Sequence, residues 1–328
     1  MRVAVIGMGL IGGSVLRALA AAGHDMVGFD ADPATRGTAR TAAAEAPPKA
    51  RWRIAPSVSA AVADAELCMI AVPLTALETV LDEITGRGYR GLITDVTSVK
   101  MPVLDLVERY LEGGSQRLAG FVGGHPMAGR ETSGFTAADP RLFDDCAWVL
   151  GLEPGRTMLG DWLDLADLVT GLGARAVPAT AAEHDRAVAT ISHVPHLVAS
   201  AVAEQAADPL AAALGAGSFR DGTRVAATRS ELVAAMCGGN ADAVRPVLDA
   251  VIESLTAARA ALDARDPISA LRPWLVPGHR VRSTWPPTAG EPLPMRPSVN
   301  ALLDLGRAGG WITSVSKDRT TVTAVRPD

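Results

Sequence analysis

Hydrophobic and polar positions follow different patterns in the two halves of the chain. Short, almost continuous apolar runs mark the first half, and amphipathic stretches such as residues 74–84 separate them. Strands buried on both faces of a parallel sheet give such runs, and the stretches between them have helical spacing. The pattern predicts a doubly wound α/β sheet whose strands lie at residues 1–6, 26–29, 67–73, 91–95, 121–125 and 147–150.

The second half is rich in alanine and leucine at helical spacing, from about residue 158 to 265. We predict an all-helical domain over residues 154–266. Apolar side chains cover most of the helix circumference at residues 197–202 and 247–252, which is more than one small bundle can bury. The helical domain is therefore predicted to form a dimer.

The end of the chain has a third pattern. Prolines recur between residues 267 and 297 and predict a stiff, extended linker. Residues 298–309 have the spacing of a short helix, and residues 311–315 and 320–325 alternate as strands do. Residues 298–328 are thus predicted to be a small helix-plus-hairpin appendage.

A glycine-rich fingerprint follows the first predicted strand and opens the first predicted helix. In Gly7-Met8-Gly9-Leu10-Ile11-Gly12, the first glycine permits a tight turn, the second lets a pyrophosphate approach, and the third lets the helix pack on the strand. A glycine-rich turn without a ligand is the alternative. The flanking strand and helix favour a Rossmann-type dinucleotide-binding domain over residues 1–153.

Further positions belong to the same predicted crevice. Asp30 ends the second strand, where a carboxylate binds the adenosine ribose and repels a 2′-phosphate. NAD is therefore the predicted cofactor, although Arg36 weakens the preference over NADP. Val72 and Pro73 end the next predicted strand beside the cofactor, and Ser98 follows the strand after that.

Composition narrows the class of protein. The chain has 328 residues, 48% hydrophobic and 20% charged, enough for two domains with substantial cores. A net charge of −5 argues against a nucleic-acid partner. Cys68, Cys146 and Cys237 lack metal or redox spacing, so we expect reduced thiols, no metal site and a cytoplasmic location. The apolar runs are too short to cross a membrane, and the first strand begins without a targeting segment.

The main candidate for catalysis is His125, which stands among Gly123, Gly124, Pro126 and Gly129. Glycine and proline let the backbone bend close to a ligand and hold a general base still. Histidine is suited to that task because it titrates near neutral pH. A turn histidine without a function is the alternative interpretation.

Two segments of the helical half are candidate substrate sites. His193 and His196 flank Pro195, which is expected to kink the helix and open a pocket; a metal site is disfavoured because no acidic or cysteine partner accompanies them. Residues 217–224 form a polar break between helices, where Arg224 suits an anionic substrate, although a helix-capping role is the alternative. Two other histidines, predicted to lie on the surface, are His184 and His279.

Five ordered motifs resemble those of the prephenate and arogenate dehydrogenases of tyrosine biosynthesis, over about residues 1–265. They lie at residues 7–12, 95–100, 124–129, 192–196 and 219–224. The resemblance implies NAD-dependent oxidative decarboxylation of prephenate to 4-hydroxyphenylpyruvate by an interleaved homodimer. An arogenate dehydrogenase that gives tyrosine directly is the alternative.

The same resemblance implies roles for individual residues. His125 is the catalytic histidine and binds the ring hydroxyl of the substrate, while Ser98 lies beside the nicotinamide and orients that histidine. His196 lines the pocket near the substrate side chain, and Arg224 binds a substrate carboxylate. Glu131 and Lys100 match neighbouring motif positions whose roles are less defined. Of these two, Glu131 is predicted to bind substrate.

Other classes of protein fit the residues less well. A β-hydroxyacid dehydrogenase would use a lysine of its helical half, yet residues 151–265 contain none. A non-catalytic dinucleotide sensor would need no convergent serine, histidine and arginine. Prephenate is favoured over arogenate because residues 149–152 offer no carboxylate for an ammonium group before Glu153.

Overall fold

The computed structural model describes residues 1–86, 88–111, 120–130 and 132–328. The chain forms two compact units. The first comprises residues 1–184 and 291–326, and the second comprises residues 185–290 and 327–328. The chain therefore leaves the first unit after His184 and returns to it near its C-terminal end.

The first unit begins with a six-stranded parallel sheet, which confirms the predicted doubly wound fold. The strands are β1 (Arg2–Ile6), β2 (Asp25–Phe29), β3 (Trp52–Ile54), β4 (Leu67–Ile70), β5 (Leu92–Asp95) and β6 (Phe121–Val122). The helices are α1 (Leu10–Ala21), α2 (Pro33–Glu45), α3 (Val58–Val62), α4 (Leu74–Thr85) and α5 (Met101–Leu111). The strand order is β3-β2-β1-β4-β5-β6, and ligands of such sheets bind at the carboxyl ends of the strands where the order reverses, beside β1 and β4.

A second sheet starts within the same unit. Its first elements are β7 (Gly124–Pro126), β8 (Ala147–Gly151), α6 (Leu159–Gly171), β9 (Arg175–Ala179) and α7 (Ala181–Val188). The run predicted as one strand at residues 121–125 divides at Gly123, because β6 pairs with β5 in parallel whereas β7 pairs antiparallel with β8. Residues 147–150 form β8 of the second sheet, so the prediction that they extend the parallel sheet was wrong.

Strand β9 lies in a stretch predicted to be helical. Its sequence, Arg-Ala-Val-Pro-Ala, has one β-branched residue and a proline, so local propensity gives little indication of a strand. Parallel pairing with β8 over all five residues and full burial of Ala176 stabilise it instead. The first unit consequently continues beyond residue 153, where the sequence predicted a domain boundary.

The second unit is helical, as predicted. Its helices are α8 (Val194–Glu204), α9 (Pro209–Leu214), α10 (Gly217–Thr223), α11 (Ser230–Gly239), α12 (Ala241–Leu262) and α13 (Pro267–Ser283). A π-helical turn at Ala189–His193 precedes α8, next to the predicted proline kink. Residues 217–224, predicted as a break, instead form α10 and begin a 3-10 turn at Arg224–Ala227.

The start of the predicted extended linker is also helical. Pro267 lies in the first turn of α13, where a helix needs no N–H donor, and Asp266 caps that turn by accepting a hydrogen bond from the Ser269 N–H at 3.2 Å. Trp274 donates its indole N–H to the Ser254 carbonyl on α12 at 2.9 Å. Packing on α12 thus stabilises a helix that its prolines disfavour. Among the described residues, none of the helices combines the length and apolar character needed to span a membrane.

The C-terminal segment returns to the first unit. It forms β10 (Leu293–Met295), α14 (Val299–Arg307), β11 (Trp311–Val315) and β12 (Val322–Val325), which confirms the predicted short helix and hairpin. These strands complete the second sheet in the order β10-β12-β11-β9-β8-β7. Leu302, Leu305 and Ile312 are fully buried in the same core as Trp148, so the segment is part of the fold rather than an appendage.

Candidate active site

The fingerprint glycines shape a crevice at the carboxyl end of β1. Gly7 has a φ of +92°, and a Cβ atom there would lie 2.4 Å from the Ala71 carbonyl oxygen. A Cβ on Gly12 would lie 1.9 Å from the Gly7 carbonyl oxygen, so only glycine lets α1 approach the strand this closely. Gly9 faces open space within 4 Å, at the positive end of α1. This is the arrangement that binds a pyrophosphate.

A cavity of about 480 Å³ opens beside this helix end. Among its lining residues are Gly7, Gly9, Asp30, Val72 and Pro73, five of the predicted cofactor residues. The other members of the fingerprint start α1 (Leu10 and Ile11) and pack it on β1 (Gly12). Volume, glycine cradle and terminal carboxylate together fit the adenosine half of a dinucleotide.

Backbone donors fix the carboxylate of Asp30. The Met8 N–H donates to Oδ2 at 2.7 Å, and the Asp32 N–H donates to Oδ1 at 2.9 Å. The guanidinium of Arg36 donates to the carbonyl oxygens of Asp30 at 2.6 Å and Ala31 at 3.0 Å. Arg36 is therefore engaged with the backbone, which reduces its capacity to bind a 2′-phosphate.

The loop after β5 is tied to the strand that carries His125. Asp95 is fully buried and accepts hydrogen bonds from the Thr97 N–H at 2.9 Å and the Gly124 N–H at 3.1 Å. Lys100, only 3% exposed, forms an ion pair with the same carboxylate. A buried charge is costly unless it is paired and hydrogen-bonded, and here every one of these contacts holds the loop in place. Ser98 lies half-buried in this loop.

His125 lies on β7 and contacts a second histidine. Its Nδ1 is 2.8 Å from Nε2 of His184, and the two rings meet edge to face, with centroids 5.1 Å apart. His184 is 3% exposed and lies in α7, so the prediction that it is a surface residue was wrong. Ala181, His184 and Val188 share one buried face of α7 at helical spacing, a signal in the sequence that could have located it.

The shared hydrogen bond restricts which nitrogen of His125 can act as a base. Only one of the two facing nitrogens can carry the proton between them. When Nδ1 of His125 donates to His184, Nε2 of His125 has the lone pair and can accept a proton. When His184 donates instead, Nε2 of His125 carries the hydrogen and cannot accept a proton. The His125–His184 pair therefore couples the tautomer of one ring to that of the other.

The remaining candidates of the helical half lie in the second unit. His193 is buried, and its Nδ1 is 3.0 Å from the side-chain amide of Asn240, which also donates to the Asp185 carbonyl at 2.8 Å. His196 is half-buried, and its Nδ1 lies 2.8 Å from the Ser192 carbonyl, which requires a hydrogen on Nδ1 and leaves Nε2 as an acceptor. Arg224 is exposed at the end of α10.

Glu131, the remaining predicted substrate residue, lies outside the described residues. On one side of it, Arg130 forms an ion pair with Asp139 at 2.6 Å. Both line an open cavity of about 720 Å³, together with Thr132 and Ser133. This cavity is polar and accessible and lies in the first unit.

Two models of one protein family match the chain. The prephenate dehydrogenase nucleotide-binding domain matches residues 15–177, and the prephenate dehydrogenase dimerization domain matches residues 180–275. The second match adds a dimerization domain to the nucleotide-binding fold.

Individual relatives agree with these models. A cyclohexadienyl dehydrogenase of Zymomonas mobilis is 30% identical over 80% of this chain and 89% of its own length. A prephenate dehydrogenase of Lactococcus lactis is 35% identical over 50% of this chain, and the match spans only 45% of that protein. A crystal structure from Corynebacterium glutamicum, provisionally assigned as a prephenate dehydrogenase, is 32% identical and has a TM-score of 0.77, with 87% of this chain and 88% of that chain covered. The chain belongs to the prephenate dehydrogenase family.

Proposed function

We propose that the protein is an NAD-dependent prephenate dehydrogenase, which converts prephenate to 4-hydroxyphenylpyruvate and carbon dioxide. The observation that carries this proposal is the His125–His184 pair, an ordered imidazole base in the unit that also contains the dinucleotide crevice. Membership of the prephenate dehydrogenase family supports the choice of reaction.

The reaction requires one base, which the protein provides, and one hydride acceptor, which the cofactor provides. Bound NAD supplies the acceptor for the hydride that leaves the ring carbon bearing the hydroxyl. His125 takes the hydroxyl proton on Nε2 while its Nδ1–H donates to His184, so a carbonyl forms as the hydride departs. The bond to the ring carboxylate then breaks, carbon dioxide leaves, and the electron pair of that bond makes the ring aromatic. The oxygen of the developing carbonyl takes the proton back from Nε2 of His125 and becomes the product hydroxyl.

The cofactor residues follow from the crevice. The amide groups at the start of α1 would hold the pyrophosphate of bound NAD, and Asp30 would accept hydrogen bonds from its adenosine ribose. Val72 and Pro73 line the wall of the crevice, and Ser98 would lie beside the nicotinamide and orient His125. The half-buried Ser98 stands on a loop that Asp95 fixes, which suits a positioning role.

The substrate-binding residues are proposed from the charges of prephenate and of the candidate side chains. Prephenate is a dianion, and Arg224 is an exposed guanidinium that can form charge-assisted hydrogen bonds with a carboxylate. His196, half-buried and held at Nδ1 by the Ser192 carbonyl, is proposed to line the pocket near the substrate side chain. Glu131 completes the proposed set. The dimerization domain supports a homodimer as the working form.

The test mixes the purified protein with prephenate and NAD and follows the absorbance of reduced cofactor and the release of carbon dioxide. We expect both to rise together, one carbon dioxide for each reduced cofactor, and His125→Asn to remove the rise. Reduction of NAD without decarboxylation would contradict the proposal. The same assay with arogenate tests the alternative substrate. A higher kcat/KM for arogenate than for prephenate would identify arogenate as the substrate and leave the reaction class unchanged.

A further inference from the structure

The second sheet carries His125 and leads directly into the helix that carries His184. His125 lies on β7, an edge strand, and His184 lies in α7, which begins two residues after the end of β9. On its other side β9 pairs with β11, so three of the six strands come from the C-terminal segment. The frame around the candidate base therefore includes residues 291–326, which lie beyond the part of the chain that the family models match.

Helix α14 contacts the junction between β9 and α7. A Cβ atom on Gly306 would lie 1.9 Å from the Pro178 carbonyl oxygen, so the helix backbone packs directly on the strand there. The next residue, Arg307, donates its Nε–H to Oε1 of Glu183 at 2.7 Å. Two consecutive residues of α14 thus hold the strand end and the helix start that lead to His184.

Glu183 in turn fixes the first turn of α7. Its Oε2 accepts hydrogen bonds from the N–H of Thr180 at 3.0 Å and the hydroxyl of Thr180 at 2.8 Å, while the Glu183 N–H donates back to that hydroxyl at 3.3 Å. This is a capping box. Burial opposes the charge, but hydrogen bonds from Thr180 and Arg307 outweigh it and lower the pKa of Glu183. The carboxylate bound by Arg307 is therefore anionic and lies one residue before His184.

We propose that Arg307 is a positioning residue, which holds the capping box of α7 so that His184 meets Nδ1 of His125 at hydrogen-bond distance. The inference rests on the proposed function, in which His125 is the base. The Arg307 side chain is 53% exposed, so the ion pair is screened by water and contributes little to global stability. Its effect falls on geometry, because a small displacement of a catalytic group lowers turnover without unfolding the protein.

The chain offers a matched control. Arg319 also belongs to the C-terminal segment, is also 53% exposed, and pairs with Asp164 on α6, a helix that does not carry the histidine pair. Arg307→Ala, Arg307→Lys and Arg319→Ala would be compared in kcat, in KM for prephenate and NAD, and in melting temperature. We expect Arg307→Ala to lower kcat by roughly 3- to 30-fold with KM for NAD unchanged. Arg307→Lys should recover part of the lost kcat, and Arg319→Ala should match the wild type in kcat. Equal kcat values for Arg307→Ala and Arg319→Ala would overturn the proposal.

A second measurement does not depend on activity. The chain has six histidines, and imidazole ¹⁵N chemical shifts in solution report which ring nitrogen carries the hydrogen. Arg307→Ala should change the signals of His125 and His184 and leave that of the exposed His279 in place. If the wild type does not oxidise prephenate, the proposed function fails while this comparison still tests the positioning role. Unchanged His125 and His184 signals in Arg307→Ala would refute that role.

Discussion

At the scale of single residues, the proposed chemistry depends on the proton between His125 and His184. Asparagine at position 125 keeps a polar side chain of similar reach but cannot accept a proton at neutral pH. His125→Asn should therefore lower kcat by about a hundredfold or more, because general-base catalysis contributes about 10²- to 10⁴-fold. The Kd for NAD, measured by titration, should stay within about twofold of wild type because the cofactor crevice is unchanged. Near-normal turnover would remove His125 from the mechanism.

Asp30 is expected to select the cofactor. Its carboxylate is fixed by the Met8 and Asp32 N–H groups, so it cannot turn away from a 2′-phosphate. Asp30→Asn should narrow the ratio of kcat/KM for NAD over NADP by about tenfold or more, since it relieves charge repulsion. Arg36→Ala is the control, because that guanidinium is bound to the Asp30 and Ala31 carbonyls and should alter the ratio less. A wild-type enzyme that already prefers NADP would contradict this role for Asp30.

Arg224 is expected to contribute binding rather than catalysis. A charge-assisted hydrogen bond is worth about 1.5–3 kcal/mol, so Arg224→Ala should raise KM for prephenate about tenfold or more. Arg220 lies in α10, which ends directly before Arg224, is also exposed, and pairs with Asp221, so Arg220→Ala is a matched control that should leave KM unchanged. If the two variants raise KM equally, the effect comes from the positive charge of this segment as a whole, and Arg224 makes no specific contact with the substrate.

At the scale of elements, Gly124 lets β7 pass close to β5. A Cβ atom at this position would lie 2.5 Å from the Asp95 carbonyl oxygen and 3.2 Å from Thr94 Oγ1. Gly124→Ala must therefore displace the strand that carries His125, at a cost of about 1–3 kcal/mol. Gly129→Ala is the control, because a Cβ there meets nothing within 4 Å. We expect Gly124→Ala to lower both melting temperature and kcat, and Gly129→Ala to lower neither; equal behaviour would show that the close approach is unimportant.

The sequence predicted elements where local pattern and final environment agree. Strands β1 and β4 are nearly continuous apolar runs because both faces are buried, and the fingerprint glycines mark a turn that only glycine permits. Pairing partners are not encoded locally, so the division of residues 121–126 between two sheets and the strand at β9 could not be predicted from composition. The helical start of the proline-rich segment depends on packing against α12 in the same way.

The candidate site, like the fold, could be predicted only in part from the sequence. His125 was predictable from its glycine-rich surroundings, whereas the contact with His184 depends on how β9 and α7 fold back toward β7. In an alanine-rich helix, a buried histidine is hard to distinguish from a surface histidine, because the small side chains around it give a weak apolar pattern. Only the spacing of Ala181, His184 and Val188 on one buried face distinguishes it, and that signal is short.

At the scale of the whole molecule, the surfaces of the two units differ. Most of the exposed large apolar side chains of the described residues lie between residues 185 and 290, including Ile252, Leu255 and Leu262 on α12 and Ile268 on α13. A concentration of exposed apolar side chains in one unit is typical of an interaction surface. The match of residues 180–275 to a dimerization domain supports the proposal that the partner is a second copy of the chain.

We therefore expect a dimer in sedimentation experiments at micromolar concentration. A glutamate at Leu255, which is 50% exposed, would place a charge in the interface, and burying an unpaired charge is costly. Leu255→Glu should shift the protein toward monomer. Met158→Glu is the control, since Met158 is similarly exposed at 44% but lies in the first unit, at the start of α6. A monomeric wild type would refute the dimer, and dissociation by both variants alike would show that the interface is not confined to the helical unit.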